Sequence, residues 1–441
     1  MNTIRYVFHD SGIWGKVTSF ISSNYQSVNS QNTLRKFVKD LGIASNNNQI
    51  KSSTEKISTK LESAFSNADA AQSSKFFSSS FPVLSQSLVR LTDNLIDNEL
   101  PRAVILQKTN ATQIFTRKFI VLMLFAGFLG LFPGHIFNQQ VPGLDFTGFF
   151  GGTRASSNQL SCFLSYFNIM AGKISSSDQE IHNHVIFQRH HKGSNRENFF
   201  TSSNLGIKQT QIIQGFMESY NPGGHVVEAI FANMMYGSAT LHNVMNQEEI
   251  VMTIAPETLL GRIFYSDLHD EDSITVRGVM KFSGYTGFGT NNFTFRPIKE
   301  SEIYAAIPRV YAVVDAISRG STYTEFTLGY ALRELSKLIS ALCDDFYGET
   351  EENDRSPFVS GYWGGGVFGG DNLYKFLIQL IAACVCNRQL VYSDGLNKLD
   401  ISLIRQIETK YGTCGNLASA FFKKHRTRSF SSGNALVEML R

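Results

Sequence analysis

The sequence predicts a layered α/β domain with a mostly parallel or mixed sheet, preceded by an all-helical region. After about residue 180, short runs with the composition of β-strands alternate with helical patterns. The strand-like runs are Val185–Phe187, His225–Phe231, Ile250–Ile254, Ile274–Phe282, Val310–Ile317 and Leu390–Tyr392. Strands that alternate with helices are typical of a layered α/β domain. In such a sheet, ligands bind beyond the carboxyl ends of the strands, where loops lead into helices.

The earlier part of the chain shows helical periodicity instead. Three apolar patterns predict helices: Ile57-Leu61-Ala64-Phe65 after the capping residues Ser53-Thr54, the stripe Leu84-Leu88-Leu91-Leu95 before Pro101, and Phe119–Phe132 before Pro133-Gly134. The last stretch is shorter than the roughly 20 residues of a membrane span, so we expect a core helix and no membrane span.

Three regions follow from this change of pattern. We expect a serine- and asparagine-rich N-terminal extension with short helices at 1–82, a helical accessory region at 83–180, and the α/β domain at 181–441. A protein assembly is a possible partner that would dock this extension. No internal repeat is evident.

Composition limits the class of protein. The chain has 441 residues, is 42% hydrophobic and carries a formal charge of +3, so we expect a large core and no binding of duplex nucleic acid. The five cysteines, Cys162, Cys343, Cys384, Cys386 and Cys414, are scattered, which favours free buried thiols in a reducing compartment. Because Met1–Phe20 lacks the pattern of a signal peptide, we expect an intracellular location, nuclear or cytoplasmic, with organelle targeting left open.

A glycine-rich run precedes one of the predicted helices. It reads Gly364-Gly365-Gly366-Val367-Phe368-Gly369-Gly370, and Asp371-Asn372 then offer side chains that cap a helix. Glycines let backbone amides turn inward, and the helix amino terminus adds about half a positive charge. The run therefore predicts a loop that binds a diphosphate, with a surface loop without a ligand as the alternative.

A second motif contains two adjacent carboxylates. Gln247-Glu248-Glu249 ends the loop that leaves the predicted strand His225–Phe231. Two adjacent glutamates are more often a solvated patch, but a glutamate against apolar surface favours its neutral form. It can then act as a general acid near neutral pH.

These motifs together resemble the poly(ADP-ribose) glycohydrolase family. The resemblance runs from about Phe119 to Gly395, and it rests on F-A-N, a loop, Q-E-E-I, P-E, Y-T-G and W-G-x-G-x-F-G-G-D in that order. It implies a macrodomain, a three-layer α/β/α structure with a mixed sheet, preceded by an accessory helical region. It also implies hydrolysis of the ribose–ribose O-glycosidic bonds of poly(ADP-ribose), with release of ADP-ribose and without a cofactor.

The resemblance also implies roles for individual residues. Glu249 would be the general acid–base residue, and Glu248 would bind hydroxyls of the adjoining ribose. The residues expected to bind substrate are Asn233, Gln247, Gly237, Ser238, Ala239, Tyr285, Phe288, Gly366, Val367, Phe368, Gly369 and Gly370. Among these, the loop 364–370 would cradle the diphosphate and Phe368 would lie against a sugar.

The chain departs from the family pattern at three places. The three glycines expected before the glutamates read Gly237-Ser238-Ala239, the acid before F-A-N is Ile230, and the ligand-clasping tyrosine is Phe288. A side chain in the first loop would obstruct phosphate or oppose a positive φ. The sequence therefore leaves two hypotheses open: an active glycohydrolase, or an impaired member that binds ADP-ribose or serves as a structural subunit.

Other clusters suggest no further chemistry. His182, His184, His190 and His191 lack partners at metal-ligand spacing, so we expect surface histidines and no metal site. The basic run from Lys423 to Arg428 predicts a solvated helix end. Met234-Met235-Tyr236 is expected in the core.

Overall fold

The computed structural model of this chain describes residues 10–91, 110–132, 143–192, 197–305, 308–318, 324–346, 355–395, 399–427 and 431–440. Leu95, Pro101, Pro133-Gly134 and Arg428, which the sequence analysis used as element ends, lie outside these ranges. No helix in the described ranges is both long enough and apolar enough to cross a bilayer.

The first region is a stack of helices. Its members are α1 (Ser11–Asn24), α2 (Gln31–Ala44), α3 (Asn48–Ser66), α4 (Ala70–Lys75) and α5 (Phe81–Val89), followed after strand β1 by α6 (Arg117–Phe128) and α7 (Arg154–Ser175). Helices α1, α2 and α3 have 14, 14 and 19 residues, whereas α4 has six. Asn47 caps α3, not Ser53-Thr54, because its side chain accepts the amides of Gln49 and Ile50.

The second region is built on a mixed sheet of eight strands. These are β1 (Ala111–Thr116), β2 (His184–His191), β3 (Gln211–Ile213), β4 (Val226–Ala232), β5 (Asp272–Arg277), β8 (Arg309–Asp315), β9 (Arg355–Ser360) and β10 (Arg388–Ser393), while β6 (Gly284–Thr286) and β7 (Thr294–Arg296) form a separate hairpin. The order is β1-β2-β5-β8-β4-β9-β10-β3. The five strands from β8 to β3 run parallel to one another, whereas the pairs β1–β2, β2–β5 and β5–β8 are antiparallel.

Helices cover both faces of the sheet. The remaining helices are α8 (Glu197–Thr201), α9 (Gln247–Ile254), α10 (Glu300–Ala305), α11 (Leu328–Leu342), α12 (Asn372–Val385), α13 (Ile401–Tyr411), α14 (Cys414–Thr427) and α15 (Gly433–Leu440). Alternate residues of β4 enter different cores: Ile230 belongs to the core that contains residues of α6 and α7, and Ala229 to the core that contains residues of α11 and α12. The expected three-layer α/β/α arrangement with a mixed sheet is confirmed.

The run Ile250–Ile254 is helical, so its prediction as a strand was wrong. It belongs to α9, which begins at Gln247. The Asn246 side chain and the Glu249 carboxylate cap each other's backbone amides in a capping box. All eight residues of the helix are buried. Because no face of this helix is exposed, its sequence lacks the alternation of apolar and polar residues that would distinguish a helix from a buried strand.

Two further expectations require correction. Cys384 and Cys414 form a disulfide between α12 and α14, whereas Cys162, Cys343 and Cys386 are free. The argument from free thiols to a reducing compartment therefore does not hold for that pair. His190 is buried and bonds Thr275 and Asp344, so it is not the expected surface histidine.

Candidate active site

The two chemical motifs lie at the same edge of the sheet. Strands β4 and β9 are parallel neighbours, paired through Val227–Phe358 and Glu228–Val359. The loop after β4 leads into α9 and carries the first motif, and the glycine loop after β9 leads into α12. Because parallel strands end at the same side, the fold places both loops beyond their carboxyl ends. The sequence predicted this placement.

Gln247 fixes helix α9 to strand β4. Its side-chain oxygen accepts the amide of Phe231 at 2.8 Å, and its nitrogen donates to the carbonyl of Ala229 at 3.0 Å. These bonds extend the sheet's hydrogen-bonding pattern to a side chain. Gln247 therefore orients the helix that carries both glutamates, and its amide is occupied by protein groups.

Glu248 is buried, with 4% of its surface exposed. One carboxylate oxygen accepts the amide of Gly237 at 2.9 Å, and the other faces the amide of Asn233 at 3.4 Å. Burial raises the pKa of Glu248 well above its ordinary value, Glu249 adds to the rise, and the two amides oppose it. The carboxylate thus holds the backbone at Asn233 and at Gly237, the two ends of the turn that follows β4.

Glu249 lies beside it in the first turn of α9, with 3% exposed. One of its oxygens accepts the amide of Asn246 at 2.8 Å. Burial raises the pKa of Glu249, and the bonds from Asn246 oppose the rise. A carboxyl with a raised pKa retains its proton to a higher pH, as a general acid requires.

The loop 237–239 does not need three glycines to keep its backbone shape. Gly237 has φ of +62°, but neither Ser238 nor Ala239 is among the residues with positive φ. Arg262 donates to the carbonyl of Gly237 from behind. The concern that side chains at Ser238 and Ala239 would oppose a positive φ is therefore wrong. Their side chains are half-buried, and the prediction that they would obstruct phosphate stays a prediction.

The glycine loop presents amides to solvent. Gly364 and Gly369 have φ of +72° and +71°, and Gly370 donates to the carbonyl of Gly364 at 2.9 Å. In the described part of the chain, the amides of Gly366, Val367 and Phe368 have no hydrogen-bond partner. Val367 is 79% exposed, whereas Phe368 is half-buried against the core. This segment can offer three amides to an anion.

Asp371 caps the helix that follows. Its side chain accepts the amides of Tyr374 at 2.9 Å and Gly433 at 2.9 Å, and its own amide donates to Glu325 at 2.7 Å. The predicted capping role of Asp371 is confirmed. The contact with Gly433 also brings α15 against the end of the glycine loop.

Tyr285 and Phe288 form a third part of the candidate site, after the loop that follows β4 and the glycine loop. The Tyr285 hydroxyl donates to Glu218 at 2.9 Å, and its ring is 5.1 Å from that of Phe216. Phe288 is 47% exposed, with its ring 6.2 Å from that of Phe216. Glu218 also accepts from Gln247 at 3.2 Å. The sequence analysis missed Glu218 and Phe216, which no local motif marks.

Residues around the first loop differ from expectation in one respect. Met234 and Met235 are 52% and 41% exposed, so placing them in the core was wrong, although Tyr236 is buried. They follow the end of β4, where the chain turns away from the sheet.

Ile230 lies in the apolar core, so an acid there would need a buried partner. In the described ranges, no three His, Cys, Asp or Glu side chains form a group that could hold a metal.

Comparison with known proteins assigns the fold and the family. Residues 199–399 match the profile described as poly(ADP-ribose) glycohydrolase (PARG), Macro domain fold, and residues 68–189 match the helical domain of the same family. The chain belongs to the poly(ADP-ribose) glycohydrolase family. Residues after 399, including α14 and α15, lie beyond these matches although α15 contacts Asp371.

Individual family members are distant in sequence. Poly(ADP-ribose) glycohydrolase 2 of Caenorhabditis elegans is 28% identical over 177 residues, 37% of this chain and 36% of the relative. Poly(ADP-ribose) glycohydrolase 1 of that organism is 30% identical over 174 residues, 36% of this chain and 22% of the relative. The probable poly(ADP-ribose) glycohydrolase 2 of Arabidopsis thaliana is 22% identical over 407 residues, 78% and 77% of the two chains. The chain thus spans only a minor part of the nematode relatives.

Proposed function

We propose that the protein hydrolyses ribose–ribose O-glycosidic bonds of poly(ADP-ribose) and releases ADP-ribose. The observation that carries the proposal is the pair of buried carboxylates, Glu248 and Glu249, in the first turn of α9 beside a loop with three available amides. Membership of the family supports the same reaction. The substrate is an anionic polymer of ADP-ribose, and no cofactor is required.

Glu249 acts as acid and then as base. Its raised pKa favours the protonated form, which donates a proton to the departing ribose oxygen. As the carboxylate, it then removes a proton from the attacking water. The oxocarbenium-like transition state of glycoside hydrolysis develops positive charge. The adjacent Glu248 accepts ribose hydroxyls through the lone pairs that the Gly237 and Asn233 amides leave open.

The glycine loop binds the diphosphate. Among the described residues, the amides of Gly366, Val367 and Phe368 have no hydrogen-bond partner, and the amino terminus of α12 adds a favourable dipole. Phe368 and the exposed ring of Phe288 provide apolar surface for a sugar or base. Asn233, exposed after β4, accepts the amide of Met235 with its side-chain oxygen at 3.2 Å, so its side-chain nitrogen is the group that binds a ribose.

The alternative is an impaired member that binds ADP-ribose or acts as a structural subunit. The observation favouring it is the presence of side chains at Ser238 and Ala239 beside Glu248. The N-terminal helices are the surface through which such a subunit would enter an assembly. One contact argues against a binding surface there, because the Lys60 ammonium of α3 donates to the Thr147 carbonyl of this same chain at 3.0 Å.

Release of ADP-ribose from purified poly(ADP-ribose) tests the proposal. We expect release by the wild type and a loss of at least about 100-fold in Glu249→Gln, as is typical when a general acid–base group is removed. Glutamine at this position retains the oxygen that accepts the Asn246 amide, so the helix cap persists. A folded wild type that releases no ADP-ribose would exclude the enzyme hypothesis, and binding of ADP-ribose would then support the alternative.

A further inference from the structure

A buried ion pair lies directly behind the glycine loop. The Lys375 ammonium is 2.5 Å from a carboxylate oxygen of Glu334, and neither side chain is exposed. The ammonium also lies over two aromatic rings, 4.8 Å from the centre of Tyr330 and 4.9 Å from that of Trp363. Burial lowers the pKa of Lys375, and Glu334 opposes this change. The ammonium is thus held from three sides by Glu334, Tyr330 and Trp363.

This lysine touches the loop at both of its ends. A Cβ atom added at Gly364 would lie 2.9 Å from the Lys375 ammonium, and one added at Gly370 would lie 3.0 Å from its last methylene carbon. Gly364 and Gly370 also bond each other through their backbones. The lysine therefore fills the space beneath the closed base of the loop, from which the amides of residues 366–368 project.

The glutamate connects this base to a neighbouring strand. The second oxygen of Glu334 accepts the amide of Ile317, just after β8, at 2.8 Å and the guanidinium of Arg333 at 3.0 Å. Trp363, at the start of the glycine loop, donates its indole N–H to the carbonyl of Val314 at 3.0 Å. The pair thus ties the loop after β9 to the end of β8 through buried, directional contacts.

We propose that Lys375 and Glu334 are positioning residues for diphosphate binding, with Lys375 holding the glycine loop in its anion-binding shape and placing a positive charge behind it. This inference rests on the proposed function for the identity of the diphosphate ligand. The Lys375 side chain is fully buried, and electrostatic attraction in a protein interior is stronger than at the surface. Lys375 makes no contact with the reacting atoms, so its effect falls on affinity for the ligand.

The test uses variants that distinguish loss of the Lys375–Glu334 contact from the destabilising effect of an unpaired buried charge. Lys375→Met alone leaves one buried oxygen of Glu334 without its lysine partner, and breaking a buried ion pair destabilises a protein strongly. The double variant Lys375→Met/Glu334→Gln removes both charges, and glutamine retains an acceptor for Ile317. Lys173→Met is the matched control, because Lys173 is also buried and ion-paired, with Asp178 and Glu300, at the end of α7.

Two measurements are made on the full chain: affinity for ADP-ribose by calorimetry, and hydrogen exchange of the peptide 361–371 without ligand. In the double variant we expect affinity to fall at least about 10-fold, and the hydrogen-bonded amides of Gly365, Gly369 and Gly370 to exchange at least about 10-fold faster, because the loop opens locally. Lys173→Met should match the wild type in both. A folded double variant with wild-type affinity and wild-type exchange would overturn the positioning role.

The same experiment separates this inference from the proposed function. Wild-type binding without release of ADP-ribose would contradict hydrolysis and leave the affinity comparison decisive. If the wild type does not bind ADP-ribose, the proposed function fails, and the ligand-free exchange of the loop decides alone. Unchanged exchange in the double variant then refutes the inference.

Discussion

Glu249 both caps helix α9 and occupies a position where burial opposes ionisation of its carboxyl. Its pKa is raised from an ordinary 4.5 in the folded protein, so the folded state binds the proton more tightly than the unfolded chain. The free energy of unfolding therefore falls as the pH rises above 4.5 toward the raised pKa. The buried Glu249 carboxyl thus lowers stability at neutral pH.

Glu249→Gln should consequently be more stable than the wild type at neutral and alkaline pH. The variant has no charge to bury at this position, so the difference between the melting temperatures should grow with pH and vanish near pH 4, since both side chains are then neutral. Thermal melts between about pH 4 and 9 measure it. Glu62→Gln, at an exposed glutamate of α3, is the control and should show no such trend. A gap independent of pH would contradict the explanation.

Phe288 offers a gain-of-function test at the same scale. Tyrosine at this exposed position adds only a hydroxyl, and a hydrogen bond to a charged group contributes about 1.5–3 kcal/mol. We expect Phe288→Tyr to tighten ADP-ribose binding by about 10-fold or more, since 1.4 kcal/mol corresponds to one decade. Calorimetric titration measures the change. Phe199→Tyr, at an exposed phenylalanine of α8, should leave the affinity unaltered. Equal affinities for both variants would place Phe288 outside the ligand site.

Helix α9 shows what local sequence could and could not predict at the scale of an element. Asn246 followed by Glu249 is a helix-start signal, but the apolar run after it suggested a strand, and the helix is buried all round. The glycine loop and its cap were predictable because loop conformation and cap depend on adjacent residues. Glu218 was not, because its partners Gln247 and Tyr285 are 29 and 67 residues away.

The disulfide is a second element-scale feature that the sequence did not reveal. Cys384 in α12 and Cys414 at the start of α14 are 30 residues apart, and only the packing of the two helices brings them together. Scattered cysteines carry no information about pairing unless the fold is known.

Cys414→Ser should lower the free energy of unfolding by about 2–4 kcal/mol without reductant, because the bond restricts the unfolded chain. Denaturant unfolding with and without reductant measures the difference, and reductant should bring the wild type close to the variant. Cys343→Ser, at a free cysteine, should keep the response to reductant. A wild type indifferent to reductant would show that the bond does not contribute to stability in solution.

At the scale of the whole molecule, the serine-rich first region is part of the main core. Phe37 of α2 lies 5.4 Å from Phe81, and Phe81 lies 5.6 Å from Phe125 of α6. Ile57 of α3 packs closely on Gly130, since a Cβ atom added at Gly130 would lie 3.1 Å from the Ile57 Cδ1 methyl. Serine-rich composition suggested an extension, yet the apolar residues at helical spacing face inward. The boundaries predicted at residues 82 and 180 remain predictions.

A chain that begins at residue 83 tests the first boundary. It lacks α1–α4 and would expose buried apolar side chains of α5, α6 and α7, so we expect it to bind a hydrophobic dye and to lose cooperative thermal unfolding. Near-ultraviolet circular dichroism and dye fluorescence measure both. A chain that begins at residue 10 retains every described helix and is the control. If the chain from residue 83 unfolds cooperatively at the wild-type midpoint, residues 1–82 are a separable extension, and the shared aromatic contacts contribute little to stability.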